Sequence, residues 1–340
     1  MSRTSWVEPA FSRSRVDKSA RVLVDLEASD EEFGDALRVF SNWRAAHGYP
    51  LNTAQVVLRA RARRVCSTAL ISQRHKREIS IIRKIERSRS MRLTQMQDIA
   101  GCRAIVNTMR QLSALERIYR DDVRDDYVKS PPASGYRSVH AVSLYEGKKK
   151  TAFDGLLVET QLRTALQHAW ATAVETVDTF TGSDLKSGFG EDDWRRLFAL
   201  VSTSFAVRER SPPVPDTPAS IELVRRELRE LESELGLTQR LMAWHRASQF
   251  VRAPEFRFKK HLLIELWPTT GVVKLHTFSA DQFESAAQKY SELEQQVTTE
   301  NRLQVVMASA DSLQALKRAY PNLFVDPTAF LVAYSQALLE

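Results

Sequence analysis

The stretch Met96-Gln-Asp-Ile-Ala-Gly-Cys-Arg-Ala-Ile-Val106 decides the fold, because its apolar character is that of a buried β-strand. Two more strands are predicted over 138–150 and 153–162, joined by a turn at Gly147 and the lysines that follow it. Apolar residues at helical spacing predict helices on both sides, over 15–48, 51–88, 111–121 and 164–180. The sequence therefore predicts an α+β fold, with a small mixed β-sheet flanked by helices.

A cluster of prolines marks the expected domain boundary. Four of the 12 prolines lie in Arg210-Ser-Pro-Pro-Val-Pro-Asp-Thr-Pro-Ala-Ser220, where they should interrupt regular structure. Beyond them we expect an amphipathic helix over 218–245, a β-hairpin over 261–279, a helix over 281–296, a strand over 302–309 and a C-terminal helix. The expected organisation is a domain over 1–211, a linker over 212–218 and a second small α/β module over 219–340.

Composition excludes several classes of protein. No apolar run approaches the ~18 residues that span a bilayer, and the first 15 residues lack the apolar segment of a secretory signal. The two cysteines are too few for a disulfide framework, so we expect a cytoplasmic protein that does not act at a membrane. The seven histidines form no metal-binding motif, and neither a P-loop nor a dinucleotide-binding glycine motif is present.

Positive charge is concentrated in one part of the chain. The net charge is only +7, but residues 51–150 carry 22 basic and 9 acidic side chains. The predicted basic helix over 74–92 contributes strongly to this excess. Such a helix is either an ordinary solvated surface or a cradle for a polyanion, and both a triphosphate and a nucleic acid fit.

Polar residues at strand spacing indicate a site on the sheet. Glu159, Gln161 and Arg163 alternate with apolar residues, so they should share one face of a strand. A carboxylate, an amide and a guanidinium make a poor core but a suitable wall for phosphate and Mg²⁺. Asp98, which precedes a strand, is either a capping residue or a member of the same site. Tyr136 follows Gly135 in a turn, where it is either a surface residue or a platform for a nucleobase.

Four motifs in this order resemble the synthetase domain of the RelA/SpoT family, of the small alarmone synthetase type. The resemblance covers about residues 15–210. The motifs are Arg74-His-Lys76-x-x-x-Ser80-Ile, Asp98-Ile-Ala-Gly-Cys-Arg103, Ser134-Gly-Tyr136-Arg-Ser-Val-His140 and Glu159-x-Gln161-Leu-Arg163-Thr164.

The resemblance implies a nucleotidyltransferase-like fold and a role for each matching residue. Arg74 and Arg103 would sandwich the adenine of ATP, and Lys76 and Ser80 would hold its phosphates. Asp98 and Glu159 would be the catalytic residues and would bind Mg²⁺. The acceptor-binding residues would be Tyr136, which stacks on the base, together with His140, Gln161 and Arg163.

The implied reaction transfers the β,γ-pyrophosphate of ATP to the 3′-oxygen of GDP or GTP, giving (p)ppGpp for stringent-response signalling. The family's turn usually carries a lysine and an asparagine before Gly-Tyr, whereas this chain has Pro131-Pro-Ala-Ser134. The acceptor contacts are therefore expected to differ. A His-Asp pair is absent from the sequence, so we expect a synthetase without the family's hydrolase domain.

Other readings stay open at this point. A toxin of the same fold would pyrophosphorylate the 3′-CCA end of tRNA, with the C-terminal module as a fused antitoxin or trigger sensor. A catalytically inactive nucleotide or RNA sensor is a third reading, which the intact Asp98, Glu159 and Tyr136 disfavour. The sequence also leaves open a homo-oligomer and a C-terminal module that binds a protein partner or the synthetase domain itself.

Overall fold

The computed structural model describes residues 6–88, 90–181, 185, 190–252, 257–267, 272–296, 303–309, 312–314 and 326–339. The chain divides into two compact units. The first comprises Met1–Tyr127 and Ser138–Ala165, and the second comprises Val128–Arg137 and Leu166–Glu340. The second unit therefore includes a short segment that interrupts the first unit in the sequence.

The first unit alternates helices and strands. In chain order they are α1 (Arg13–Val22), α2 (Asp30–Ala46), α3 (Gly48–Val65), β1 (Leu70–His75), α4 (Glu78–Arg87), β2 (Ala100–Val106), α5 (Met109–Ile118), β3 (Val123–Asp126), β4 (Val139–Leu144) and β5 (Leu157–Thr164). The helical stretch expected over 15–48 is two helices. The second of them starts with a capping box, in which the side chains of Ser29 and Glu32 each accept the other's backbone N–H.

The strands of the first unit form one mixed sheet in the order β1-β2-β5-β4-β3. Strands β2 and β5 are parallel, and the other neighbours are antiparallel. Helix α3 covers the face that carries Cys102, whose thiol donates to the Leu51 carbonyl oxygen at 3.7 Å. Helix α5 packs beside α3. The predicted α+β fold with a small mixed sheet is confirmed.

The prediction of a helix over 51–88 is wrong at Leu70–His75, where the chain forms β1. This strand lies at the edge of the sheet and pairs with β2 alone. Four of its six residues are exposed, so its sequence lacks the alternation that identifies a half-buried strand. It forms because β2 offers unpaired backbone groups along that edge. Arg74 therefore lies on a strand, and the basic helix α4 begins only at Glu78.

The second unit contains a helical part and a small sheet. Its elements are α6 (Ala165–Thr181), whose first residue belongs to the first unit, α7 (Asp192–Glu209), α8 (Ile221–Leu235), α9 (Leu237–Arg252), β6 (His261–Trp267), β7 (Val272–Phe278), α10 (Phe283–Glu294), β8 (Gln304–Ser309) and α11 (Thr328–Leu339). The small sheet has the antiparallel order β7-β6-β8. It confirms the predicted second sheet. The hairpin turn at 268–271 lies outside the described residues.

The single amphipathic helix expected over 218–245 is two helices. Gly236 separates α8 from α9 with a φ of 63°, a left-handed conformation, and its N–H donates to the Glu232 carbonyl oxygen. A glycine in this conformation is a common helix terminator, because it has no Cβ to clash. The apolar spacing continues through the break, which is why periodicity alone predicted one helix.

The proline-rich segment 212–218 has no helix or strand, as predicted. Its Val214 is buried, and the Val214 N–H donates to the Thr203 hydroxyl at 3.0 Å. The helices on both sides of the segment, α7 and α8, pack against each other, and α11 packs against both. A domain boundary at 212–218 stays a prediction. Within the part of the chain that the structure describes, no helix is long and apolar enough to cross a membrane.

Candidate functional site

Strand β5 presents its polar residues to one face of the sheet. Glu159, Gln161 and Arg163 alternate with the buried Val158, Thr160 and Leu162, as the two-residue period of a strand requires. Arg163 Nη2 donates to Gln161 Oε1 at 2.8 Å, and Gln161 Nε2 donates to Glu159 Oε2 at 2.7 Å. The shared face predicted for these three residues is confirmed.

Neighbouring strands bring three more predicted residues to this face. Arg103 on β2 lies opposite Gln161, and His140 on β4 lies opposite Gln161 from the other side. Arg74 on β1 lies opposite Gly101, which is itself opposite Glu159. Residues in register share a face of the sheet. Helix α3 covers the opposite face of the sheet at Cys102.

Glu159 is held by hydrogen bonds on both carboxylate oxygens. His140 Nδ1 lies 3.1 Å from Oε1, and the Gln161 amide donates to Oε2. Burial raises the pKa of Glu159, and the nearby charge of Asp98 raises it further. The hydrogen bond and charge of His140, together with the Gln161 amide, outweigh both and leave the pKa below its usual value. Glu159 is therefore ionised at neutral pH.

Asp98 lies between two lysines. Its Oδ2 accepts from Lys76 Nζ at 2.7 Å and its Oδ1 from Lys84 Nζ at 3.1 Å. Burial raises the pKa of Asp98, but the two ammonium groups lower it by more, so the carboxylate is also ionised. The negative charge of Asp98 in turn raises the pKa of Glu159. The predicted role of Asp98 and Glu159 as a catalytic pair stays a prediction.

Lys84 was missing from the predicted site residues. The sequence offered a signal for it, because Lys76, Ser80 and Lys84 are spaced by four. In the structure Lys76 precedes α4 and Lys84 lies on it, while Ile81 and Ile85 anchor the helix in the core. Both lysines then contact one carboxylate.

Tyr127 also belongs to the site without having been predicted. Its ring packs edge-on against the His140 ring, with the centroids 5.2 Å apart. This contact restricts the imidazole that donates to Glu159. No motif in the sequence marks Tyr127, since the contact depends on the pairing of β3 with β4.

Ser80 lies on a helix, Arg74 on the edge strand and Tyr136 in the second unit. Ser80 lies in the first turn of α4 and is partly buried, and Arg74 is exposed at the edge of the sheet. Tyr136 belongs to the second unit, in segment 128–137, and is 6% exposed. Its role in stacking stays a prediction.

The donor set of the carboxylate pair fits Mg²⁺. Among the described residues, no group of three or more histidine, cysteine, aspartate or glutamate side chains is arranged to hold a metal ion. Mg²⁺ does not require such a group, because it usually binds one or two carboxylates together with water and substrate phosphates. Asp98 and Glu159, both ionised, are oxygen ligands of the kind that Mg²⁺ prefers.

Comparisons with known proteins agree with the motifs. Residues 73–177 match the family model described as "Region found in RelA / SpoT proteins". GTP pyrophosphokinase YjbM of Bacillus subtilis (strain 168) is 35% identical over 83 residues, which are 23% of this chain and 39% of that protein. The chain therefore matches about two fifths of the length of this relative.

Solved structures with similar parts include the small alarmone synthetase 1 of Bacillus subtilis bound to its product pppGpp. It is 25% identical, with a TM-score of 0.41, over 50% of this chain and 94% of that one. A GTP pyrophosphokinase family protein from Streptococcus pneumoniae is 22% identical, with a TM-score of 0.37, over 55% and 86%.

The matched region contains every residue that the four motifs predicted for the site. The region also contains the two carboxylates, the two lysines and the chain of hydrogen bonds from Arg163 to Glu159. The resemblance expected from the motifs is confirmed over residues 73–177, which match the RelA/SpoT family model.

Proposed function

We propose that this protein is a pyrophosphokinase that transfers the β,γ-pyrophosphate of ATP to the 3′-oxygen of GDP or GTP. The observation that carries the proposal is the pairing of the ionised Asp98 with two lysines, together with a second ionised carboxylate, Glu159, in the region that matches the RelA/SpoT family model. Transfer of a phosphate group requires positioning and charge neutralisation more than covalent catalysis. The described side chains supply both.

The proposed ATP site uses the positive charges of the sheet face and of α4. Lys76 and Lys84 would bind the phosphates in exchange for their contacts with Asp98. Arg74 and Arg103 are diagonal neighbours on antiparallel strands, because Arg74 lies opposite Gly101 and Arg103 opposite Ser72. Diagonal residues lie about 7–8 Å apart. That separation leaves room for a flat adenine ring between two guanidinium planes.

Asp98 and Glu159 would hold Mg²⁺, which when bound offsets the negative charge of the phosphates. Glu159 would also accept the proton of the acceptor's 3′-hydroxyl. The 3′-oxygen then forms a bond to the β-phosphorus. The bond from that phosphorus to the α,β-bridging oxygen breaks, and AMP leaves with the bridging oxygen.

The proposed acceptor residues have two roles. Tyr136 would stack on the base of the acceptor. His140, Gln161 and Arg163 would orient the acceptor, and their hydrogen bonds fix Glu159 in the orientation in which it meets the 3′-hydroxyl.

Transfer of label from ATP tests the proposal. The protein is incubated with Mg²⁺, γ-labelled ATP and GDP, GTP or deacylated tRNA in separate reactions. We expect label on the guanosine nucleotides with release of AMP. Label on tRNA alone would contradict the proposed acceptor, and transfer to none of the three would contradict the proposed activity.

A further inference from the structure

Segment 128–137, which carries Tyr136, is fastened within the second unit by Arg137. Arg137 Nη1 donates to the Val128 carbonyl oxygen at 3.2 Å, which closes the segment from end to end. Its Nε donates to the Ser202 hydroxyl at 2.9 Å, and its Nη2 donates to the Pro212 carbonyl oxygen at 2.7 Å. One guanidinium thus connects the segment to α7 and to the chain that follows α7.

A second connection lies at Gly135, beside the tyrosine. Ser202 Oγ, which accepts from Arg137, also donates to the Gly135 carbonyl oxygen at 2.7 Å. Gly135 has a φ of +83°, and a Cβ there would lie 2.9 Å from the Ser202 Cβ. The turn therefore approaches α7 so closely that only glycine fits. The residue before Tyr136 is fixed in both conformation and position.

The guanidinium of Arg137 is committed to protein groups. Arg137 is 3% exposed, and burial lowers its pKa to about 10, so it is still charged at neutral pH. A buried charge requires its hydrogen bonds, because an unsatisfied one is costly. Because Arg137 directly follows Tyr136, one would expect its guanidinium to bind the phosphates of the acceptor. The observed contacts instead fix the turn.

The helix that receives these contacts is itself rigidly held. Its residues from Leu197 to Ala206 are all buried. Phe198 and Phe205 pack against Phe330 of α11, with centroids 6.4 Å and 6.0 Å apart. Functional side chains are positioned accurately when they are supported by packed elements of this kind.

We propose that Arg137 is a positioning residue for the acceptor: it fastens the turn that carries Tyr136 to α7 and Pro212, and the affinity for the acceptor depends on this fastening. The inference rests on the proposed function, in which Tyr136 stacks on the acceptor's base. It assigns to Arg137 no contact with the phosphates.

Steady-state kinetics with two variants test the inference. Arg137→Met removes the guanidinium, and Ser202→Ala leaves it in place but removes the hydroxyl that joins it to Gly135. We expect the KM for GTP to rise about tenfold or more in Arg137→Met and about threefold in Ser202→Ala, with the KM for ATP unchanged. The KM for GDP should rise by the same factor. Ser204→Ala, a buried serine on the same helix, is the matched control and should change neither KM.

Hydrogen exchange gives a readout that does not depend on activity. The Gly135 N–H donates to the Pro132 carbonyl oxygen at 2.9 Å, so its exchange reports on the turn. We expect exchange to be about tenfold faster in Arg137→Met and Ser202→Ala and unchanged in Ser204→Ala.

The outcomes separate the inference from the proposed function. An unchanged KM for GTP in Ser202→Ala, or a KM that rises more for GTP than for GDP in Arg137→Met, overturns the positioning role. If Arg137→Met does not fold, Ser202→Ala decides the question by itself. A wild type that transfers pyrophosphate to no acceptor overturns the proposed function and the positioning role with it.

Discussion

The two carboxylates of the site are kept ionised in different ways. Asp98 is paired with the ammonium groups of Lys76 and Lys84, whereas Glu159 depends on the His140 ring and the Gln161 amide. The lysines can move to an incoming anion, because their side chains are a fifth to a third exposed. Glu159 and His140 are only 13% and 14% exposed, so Glu159 keeps its orientation. The site therefore combines a carboxylate whose lysine partners can change with one whose histidine partner is fixed.

The fixed carboxylate is the one whose loss should be most damaging. Glu159→Gln keeps the size of the side chain but cannot accept a proton, so pyrophosphate transfer should fall about 100- to 10,000-fold. The variant should unfold at the same temperature within a few degrees. Single-turnover transfer to GTP measures the first effect and calorimetry the second. Glu146→Gln, at an exposed position, serves as the control and should retain activity. Comparable turnover by Glu159→Gln would exclude the proposed role.

Much of the site could be predicted from the sequence residue by residue, because the two-residue period of a strand places Glu159, Gln161 and Arg163 on one face. The hydrogen bonds among these three residues could not be predicted, because the orientation of the Gln161 amide depends on the buried Arg163. The pairing of Asp98 with Lys84 was also missed. It depends on where α4 begins, and α4 begins after an unpredicted strand.

Among the elements, the buried strands were predictable and the edge strand was not. No residue of strand β2 is exposed, since buried and partly buried residues alternate along its whole length. Its sequence is therefore mostly apolar, which identifies it as a buried strand. Strand β1 is mostly exposed and gains its order from pairing with β2. The break at Gly236 was missed for a related reason, because apolar spacing is the same in one helix or two.

Gly236, which ends α8, and Gly34, which lies inside α2, should respond in opposite ways to substitution by alanine. Gly236→Ala forces a Cβ into a left-handed conformation and should lower the free energy of unfolding by about 1–2 kcal/mol. Gly34→Ala lies in α2, where a Cβ meets nothing within 4 Å, and should raise it by about 0.5–1 kcal/mol. Urea denaturation compares the two. A stabilised Gly236→Ala would show that the break between α8 and α9 is not required.

The junction of α2 and α3 should make stability depend on pH. His47 lies there buried, and its Nδ1–H donates to the Trp43 carbonyl oxygen at 2.8 Å. Burial lowers the pKa of His47 from 6.5 to about 4. Between these values the unfolded chain binds a proton that the folded chain does not, so stability falls as pH decreases from 6.5 to 4. The loss amounts to about 3 kcal/mol.

His47→Gln keeps a donor for the Trp43 carbonyl but does not titrate. Its free energy of unfolding should therefore fall less than that of the wild type over this range. Urea denaturation at several pH values from 7 to 4 measures the difference. Parallel curves for the two proteins would show that His47 is not the group responsible.

At the scale of the whole molecule, contacts distant in sequence define the second unit. Segment 128–137 belongs to it through Arg137, and α11 packs on α7 more than a hundred residues earlier. The sequence predicted most of these elements separately, and the second small sheet with them. It could not show that α7, α8 and α11 pack together, because an apolar helix face does not identify its partner.

The aromatic contact between α7 and α11 should be a main support of the second unit. Phe330 is 1% exposed, and Phe330→Ala should lower the free energy of unfolding by about 3–5 kcal/mol. Val332→Ala, at an exposed position two residues along the same helix, should change it by less than about 0.5 kcal/mol. Urea denaturation followed by tryptophan fluorescence compares the variants. Equal stability of the two would show that α11 contributes little to this unit.

The proposed reaction is tested most directly by identifying its products. ATP and GTP are incubated with the protein and Mg²⁺, and the mixture is followed by phosphorus NMR. We predict AMP and a guanosine nucleotide with a new diphosphate on its 3′-oxygen, formed in equal amounts and absent with Glu159→Gln. Formation of ADP, release of inorganic phosphate alone, or the same products with Glu159→Gln would contradict this prediction.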